Sequence, residues 1–122
     1  MEKIKSYQEL KIWQKGMDLT VIVYKICEKL PSGERFGLIS QMQRAAISVP
    51  ANIAEGWSQK YTKEFIQFLR ISLGSLAGLE TMVMLCRKLN YLEISEESEI
   101  REKVRELQKM IYAAVKTLTS RL

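Results

Sequence analysis

The sequence contains no histidine, only two cysteines and two prolines. Histidine is the usual general base at neutral pH and the commonest metal ligand, so its absence argues against most acid–base enzymes. Cys27 and Cys86 form no Cys-x-x-Cys pair, and both fall on apolar helical rows. We therefore expect both to be small core residues, with a redox or metal role as the alternative. We expect no metal site, no cofactor and no enzymatic activity.

Long hydrophobic segments are also absent. A membrane-spanning helix needs about 18 or more consecutive apolar residues, and no such run occurs. The first residues, MEKIKSYQELKIW, lack the apolar segment of a signal peptide. We therefore expect no membrane partner and a cytoplasmic location, where free thiols persist. A chain of 122 residues with 47% apolar content is expected to form a single domain over residues 1–122.

Four segments carry apolar residues at helical spacing, with short polar turns between them. The first runs from about residue 7 to 30, the second begins near Glu34, the third follows Thr62, and Ser95 is the expected cap of the fourth. Short turns make consecutive helices antiparallel. The pattern therefore predicts an all-α, up-down-up-down four-helix bundle. The first segment has two apolar rows, more than one bundle core needs, so part of it is expected to contact another chain.

The second segment contains Pro50 within its apolar row. Proline has no N–H to bond the carbonyl of Ala46, and its ring crowds that carbonyl. Because the apolar row keeps its phase, we predict a helix kinked at Pro50; the alternative is a new helix capped by Ser48. In the third segment, Gly74 and Gly78 each cost about 1 kcal/mol relative to alanine. They suggest a close helix crossing, with tolerated exposed glycines as the alternative.

A polar stripe follows one face of the second segment at spacings of three and four residues. Its members are Gln41, Arg44, Ser48, Asn52 and Glu55. Alanines on either side would let another backbone approach, so we expect the stripe to be partly buried and internally hydrogen-bonded. In that arrangement Arg44 would pair with Glu55 or another carboxylate instead of contacting nucleic acid.

Cations recur at helical spacing in three groups, and the formal net charge is +5. This mild excess permits a nucleic-acid partner without requiring one. The candidate nucleic-acid-binding residues are Lys60, Lys63 and Arg70; Arg105, Lys109 and Lys116; and Lys11 and Lys15. The alternative for each group is an ordinary solvated helix surface.

Residues 40–56, SQMQRAAISVPANIAEG, resemble the signature of a bacterial four-helix-bundle family encoded by intervening sequences in large-subunit ribosomal RNA genes. A related branch supplies the accessory variability protein of diversity-generating retroelements. The segments LKIWQKGMDLTVIVYKI and FIQFLRISLGSLAGLE fit as well. The resemblance implies a ring-like homo-oligomer, a pentamer. Gly78 departs from the family, which usually has an acidic residue there, whereas Glu80 is retained.

Taken together, these features suggest an oligomeric helical bundle that binds structured RNA, or an RNA–DNA intermediate, as a sequence-tolerant accessory protein. The alternative is a homo-oligomeric scaffold that recruits a protein partner and contacts no nucleic acid. Salt-sensitive retention on RNA would separate the two. A third interpretation, a ligand-binding bundle, requires a pocket that the sequence does not reveal.

Overall fold

The computed structural model describes residues 3–122, and it is built from four α-helices. These are α1 (Lys11–Cys27), α2 (Ser40–Trp57), α3 (Thr62–Lys88) and α4 (Ile94–Thr119). A short 3-10 turn precedes α1, and a 3-10 turn followed by a π-helical turn, Arg35–Ile39, leads into α2. The all-α fold class is confirmed, and the described residues contain no strand.

Each helix packs against the next in sequence, and α1 also packs against α4. Leu10 at the start of α1, Trp57 at the end of α2, Phe65 near the start of α3 and Leu118 near the end of α4 line one cleft. Helix beginnings and ends therefore alternate at this end of the bundle. The arrangement fits the expected up-down-up-down order.

The core is formed by the apolar rows expected from the sequence. In α3, Leu69, Leu76, Leu79, Val83 and Cys86 are completely buried, and together with buried Ser72 they repeat at spacings of three and four residues. Removing a large aliphatic side chain from water contributes about 1.5–3 kcal/mol, so these rows supply the main force that closes the bundle.

Two helix starts differ from the sequence expectation. Tyr7–Glu9 form a 3-10 turn, and extended backbone at Leu10 separates this turn from α1. At α4, the backbone N–H of Glu93 donates to Glu96 Oε1 at 2.8 Å, and the helix begins at Ile94. The expected cap at Ser95 is therefore wrong, because the Glu93–Glu96 contact caps the helix two residues earlier.

Helix α2 continues without a break across Pro50, from Ser40 to Trp57. The alternative of a new helix beginning at Ser48 is therefore wrong. The bend of the axis at Pro50 stays a prediction. By length and composition, α3 is the one helix within residues 3–122 that could cross a membrane. Core helices of soluble proteins pass the same test, and here α3 packs against both α2 and α4.

Helix α1 has more apolar surface than the bundle covers. Met17, Val21 and Tyr24 follow one another at spacings of four and three residues, and 43%, 53% and 41% of their surfaces are exposed. These three side chains form the α1 apolar stripe. The wide apolar face predicted for this helix is thus divided between the core and the surface.

Candidate nucleic-acid interface

The outward face of α3 is a row of exposed residues without a carboxylate. Its members are Lys63, Gln67, Arg70, Gly74, Ala77, Thr81, Met84 and Lys88. Spacings of four and three residues keep them on one side of the helix. The row, named here the α3 outward face, carries three cations on a surface of otherwise small or neutral side chains.

The predicted cations fall into two classes in the structure. Lys15 Nζ lies 2.7 Å from Glu106 Oε1, and Arg105 Nε lies 3.3 Å from Glu80 Oε2. Their charges are therefore already matched by carboxylates. The other six predicted cations form no ion pair with a carboxylate of residues 3–122 and are exposed: Lys11, Lys60, Lys63, Arg70, Lys109 and Lys116.

The three predicted groups do not all stay together. Lys63 and Arg70 share the α3 outward face, whereas Lys60 lies in the α2–α3 turn with its ammonium 5.4 Å from the centre of the Tyr61 ring. On α4, Lys109 and Lys116 remain in an exposed row with Tyr112. Arg101 and Arg105 both hold Glu80 at 3.3 Å, so this carboxylate serves to join α3 to α4.

The polar stripe of α2 is only partly buried. Ser48 and Asn52 are half-buried, and Asn52 Nδ2 donates to the carbonyl and the hydroxyl of Ser48 at 2.7 and 2.8 Å. Ser75 of α3 joins them through a 2.9 Å hydroxyl–hydroxyl contact. The expected internal hydrogen bonding is present at the centre of the stripe.

The ends of the stripe differ from the prediction. Gln41, Arg44 and Glu55 are exposed, and Arg44 forms no ion pair with a carboxylate of residues 3–122. The predicted Arg44–Glu55 pairing is therefore wrong within the described chain. The stripe crosses from the α2–α3 contact at its centre to solvent at its ends, so only the central residues meet a neighbouring helix.

Hydroxyl groups from α1 and α3 reach the backbone of α2 around Pro50. Thr20 Oγ1 lies 3.1 Å from the carbonyl oxygen of Ala46, the one that Pro50 cannot bond. Buried Ser72 donates to the carbonyl of Val49 at 3.0 Å. The sequence analysis did not predict these contacts, although the presence of Ser72 within the apolar row of α3 indicated that such a donor was available.

Close helix crossings occur at glycines other than those expected. A Cβ atom placed on Gly56 would lie 2.6 Å from Phe68 Cβ, and one on Gly16 would lie 3.4 Å from the ring of Pro50. Nothing lies within 4 Å of a Cβ placed on Gly74 or Gly78. The predicted close crossing at Gly74 and Gly78 is therefore wrong within one protomer, because both glycines face away from the neighbouring helices.

The structure gives the thiols no reactive environment. Cys27 and Cys86 are both buried. Burial raises the pKa of both thiols, that of Cys86 to about 11, so neither is a thiolate at neutral pH. Residues 3–122 contain no cluster of three or more side chains suited to a metal ion.

A cleft of about 530 Å³ opens at the end of the bundle where α1 and α3 begin. Its walls include Trp57, Tyr61 and Phe65, and the charged side chains that the described residues place there are Lys60 and Arg121. No aspartate or glutamate of residues 3–122 lines it. Sequence reasoning did not find this cleft, because its lining comes from all four helices.

The four packed helices define an all-α, four-helix-bundle protein. One of its helices carries an exposed cationic face. A sequence model of the 23S rRNA-intervening sequence protein family matches residues 8–113, and the chain belongs to this family. A solved structure from Bacteroides thetaiotaomicron, described as a protein with unknown function from the S23 ribosomal protein family, has the same fold. It aligns with a TM-score of 0.80 at 22% identity, over 86% of this chain and 98% of that one. A search of curated proteins found no match.

Proposed function

We propose that the protein is a non-enzymatic, cytoplasmic accessory factor that binds RNA with little sequence preference as a homo-oligomer. The α3 outward face carries this proposal. Lys63, Arg70 and Lys88 lie on one exposed helical row without a carboxylate and without an ion pair among the described residues. Cations arranged in this way can contact successive phosphates, and such contacts are largely indifferent to base sequence.

Self-association would multiply these contacts. The α1 apolar stripe, Met17, Val21 and Tyr24, is exposed in the single protomer. We propose that a second copy of the chain covers it, in a ring that the family resemblance suggests is a pentamer. Identical cationic faces repeated around one assembly would bind a long RNA more tightly than one face alone.

The binding test compares two double variants with the same change in charge. Lys63→Gln with Arg70→Gln removes two unpaired cations of the α3 outward face. Lys15→Gln with Arg105→Gln removes two cations that already bond carboxylates. On single-stranded RNA, the logarithmic salt slope should flatten by roughly 1.4 for the first variant, at about 0.7 per lost phosphate contact. The second variant should change it much less.

The readout is a fluorescence titration at several salt concentrations. Equal slopes for the two double variants would refute the assignment of binding to the α3 outward face. No binding by the wild type at 50 mM salt would refute the RNA function. That result would favour the scaffold alternative, in which the exposed apolar residues recruit a protein.

Light scattering tests the assembly. We expect a mass several times the 14.1 kDa of one chain, and Val21→Glu should reduce it because it places a charge within the α1 apolar stripe. Asp18→Ala, on the exposed face of the same helix, should leave the mass unchanged. A wild-type protein that stays monomeric at micromolar concentration would refute the oligomer.

A further inference from the structure

The cleft at the open end of the bundle has the size of a ligand site. Its volume of about 530 Å³ lies within the roughly 300–1,000 Å³ that is usual for small-molecule pockets. Its apolar wall includes Leu10, Ile12, Trp57, Phe65 and Leu118. The lining is mainly apolar, with a small number of polar groups around it.

Charge distinguishes this cleft from two other surface depressions formed by residues 3–122. One of those contains Lys15 and Lys103 together with Asp18 and Glu106, and the other contains Lys25 and Lys29 together with Glu96 and Glu99. Their charges of both signs largely cancel. The charged groups that residues 3–122 contribute to the end cleft are all cationic, so it favours an anionic ligand.

Aromatic side chains give the same cleft a surface for a flat ring. Tyr61 is 59% exposed even though its neighbours Trp57 and Phe65 are half-buried. The ammonium of Lys60 lies 5.4 Å from the centre of the Tyr61 ring, so a cation and an aromatic face are adjacent. Gly56 lets the ring of Phe65 pack closely against the end of α2, because a Cβ atom at residue 56 would lie 2.9 Å from Phe65 Cδ1.

We propose that the end cleft receives one nucleotide of single-stranded RNA. Its base would stack on Tyr61 or Trp57, and its phosphate would lie between Lys60 and Arg121. A base paired in a duplex cannot enter, since its faces are covered by neighbouring base pairs. The inference rests on the proposed RNA function and deepens it, adding a preference for unpaired nucleotides to the sequence-tolerant contacts of the α3 outward face.

The test measures the affinity of a fluorescent, phosphorylated RNA trinucleotide for the full-length protein at 50 mM salt. Base stacking on an aromatic side chain contributes roughly 5- to 150-fold in affinity, so Tyr61→Ala should weaken binding by a factor in that range. Tyr61→Phe keeps the ring and should bind like the wild type. Tyr112→Ala is the matched control, because Tyr112 is 61% exposed but lies outside the cleft.

The cationic part of the cleft has its own control. Lys60→Gln should weaken trinucleotide binding, whereas Lys25→Gln, in the last turn of α1 and outside the cleft, should leave it unchanged. Equal losses for Tyr61→Ala and Tyr112→Ala, or for the two lysine variants, would overturn the cleft assignment. A mononucleotide that binds as tightly as the trinucleotide, with the same loss in Tyr61→Ala, would show that the ligand is a free nucleotide and would overturn the strand proposal.

Duplex RNA separates this inference from the function on which it rests. Salt-sensitive duplex binding without trinucleotide binding would refute the cleft proposal alone. A different result would be trinucleotide binding that depends on Tyr61, together with a duplex salt slope that is the same in wild type and in the Lys63→Gln, Arg70→Gln variant. It would refute the assignment of binding to the α3 outward face and would support the cleft proposal. Absence of both activities would refute both proposals.

Discussion

The contact between Thr20 and α2 compensates for Pro50, and it can be tested by one hydroxyl deletion. Pro50 has no N–H, so the carbonyl of Ala46 loses its helical donor, and Thr20 Oγ1 lies 3.1 Å from that oxygen. Ala46 is buried, with 1% of its surface exposed, so water does not readily replace the hydroxyl. Thr20→Val keeps the shape of the side chain and removes the donor.

Leaving a buried carbonyl without a partner costs about 1–3 kcal/mol, so Thr20→Val should lower the free energy of unfolding by that amount. Thr81→Val is a matched control. Thr81 Oγ1 donates at 2.9 Å to Ala77 of its own helix, whose carbonyl also has its normal helical partner, so we expect a change within about 0.5 kcal/mol. Urea unfolding at one fixed protein concentration gives both values.

A double-mutant cycle then assigns the loss to the proline. Pro50→Ala restores an N–H that can bond the carbonyl of Ala46, so Thr20→Val should cost less than half as much in that background. Thr20 Oγ1 also lies 2.8 Å from the carbonyl of Gly16, and it has only one proton to donate. Equal costs of Thr20→Val with and without Pro50, or a cost as small as that of Thr81→Val, would show that the proton serves Gly16 and would refute the reasoning.

Two further predictions concern helix packing and pH. Gly56→Ala should destabilise the protein by about 1–3 kcal/mol, because the new methyl group would lie 2.6 Å from Phe68 Cβ. Gly74→Ala, in open space, should stabilise it by about 1 kcal/mol. Equal changes in the melting temperatures of the two variants would contradict the packing argument. The hydrogen bond from Lys15 lowers the pKa of Glu106, so the stability from this pair is present above the ordinary pKa of glutamate and is lost as pH falls through the lowered value. The free energies of unfolding of wild type and Lys15→Gln, measured in urea, should therefore differ more at neutral pH than in acid. A difference that does not change with pH would show that this pair does not contribute to the pH dependence of stability.

The sequence alone was sufficient for the fold class. Apolar rows at helical spacing and the short turns between them predicted the four helices, because burial of such rows is the dominant force in a small helical domain. The surplus apolar surface of α1 was also visible in its two rows, and it is exposed in the α1 apolar stripe. Residues 40–56 were enough to indicate the family to which the chain belongs.

The candidate sites depended on contacts between distant parts of the chain. Spacing alone could place Lys63 and Arg70 on one face of a helix, but it could not show that Lys15 and Arg105 meet carboxylates on neighbouring helices. It also assigned Arg44 a carboxylate partner that residues 3–122 do not provide. Ion pairing depends on distances across helix–helix contacts, and helical periodicity specifies only which residues share a face.

The end cleft and the environment of Pro50 were decided by tertiary structure. Trp57, Tyr61 and Arg121 come together only because antiparallel packing brings the end of α2, the start of α3 and the end of α4 to one side of the bundle. The sequence showed that Pro50 would free the carbonyl of Ala46, and the packing of α1 placed the Thr20 hydroxyl 3.1 Å from that oxygen. A sequence pattern determines which groups need a partner, whereas the three-dimensional approach of the helices determines which group becomes that partner.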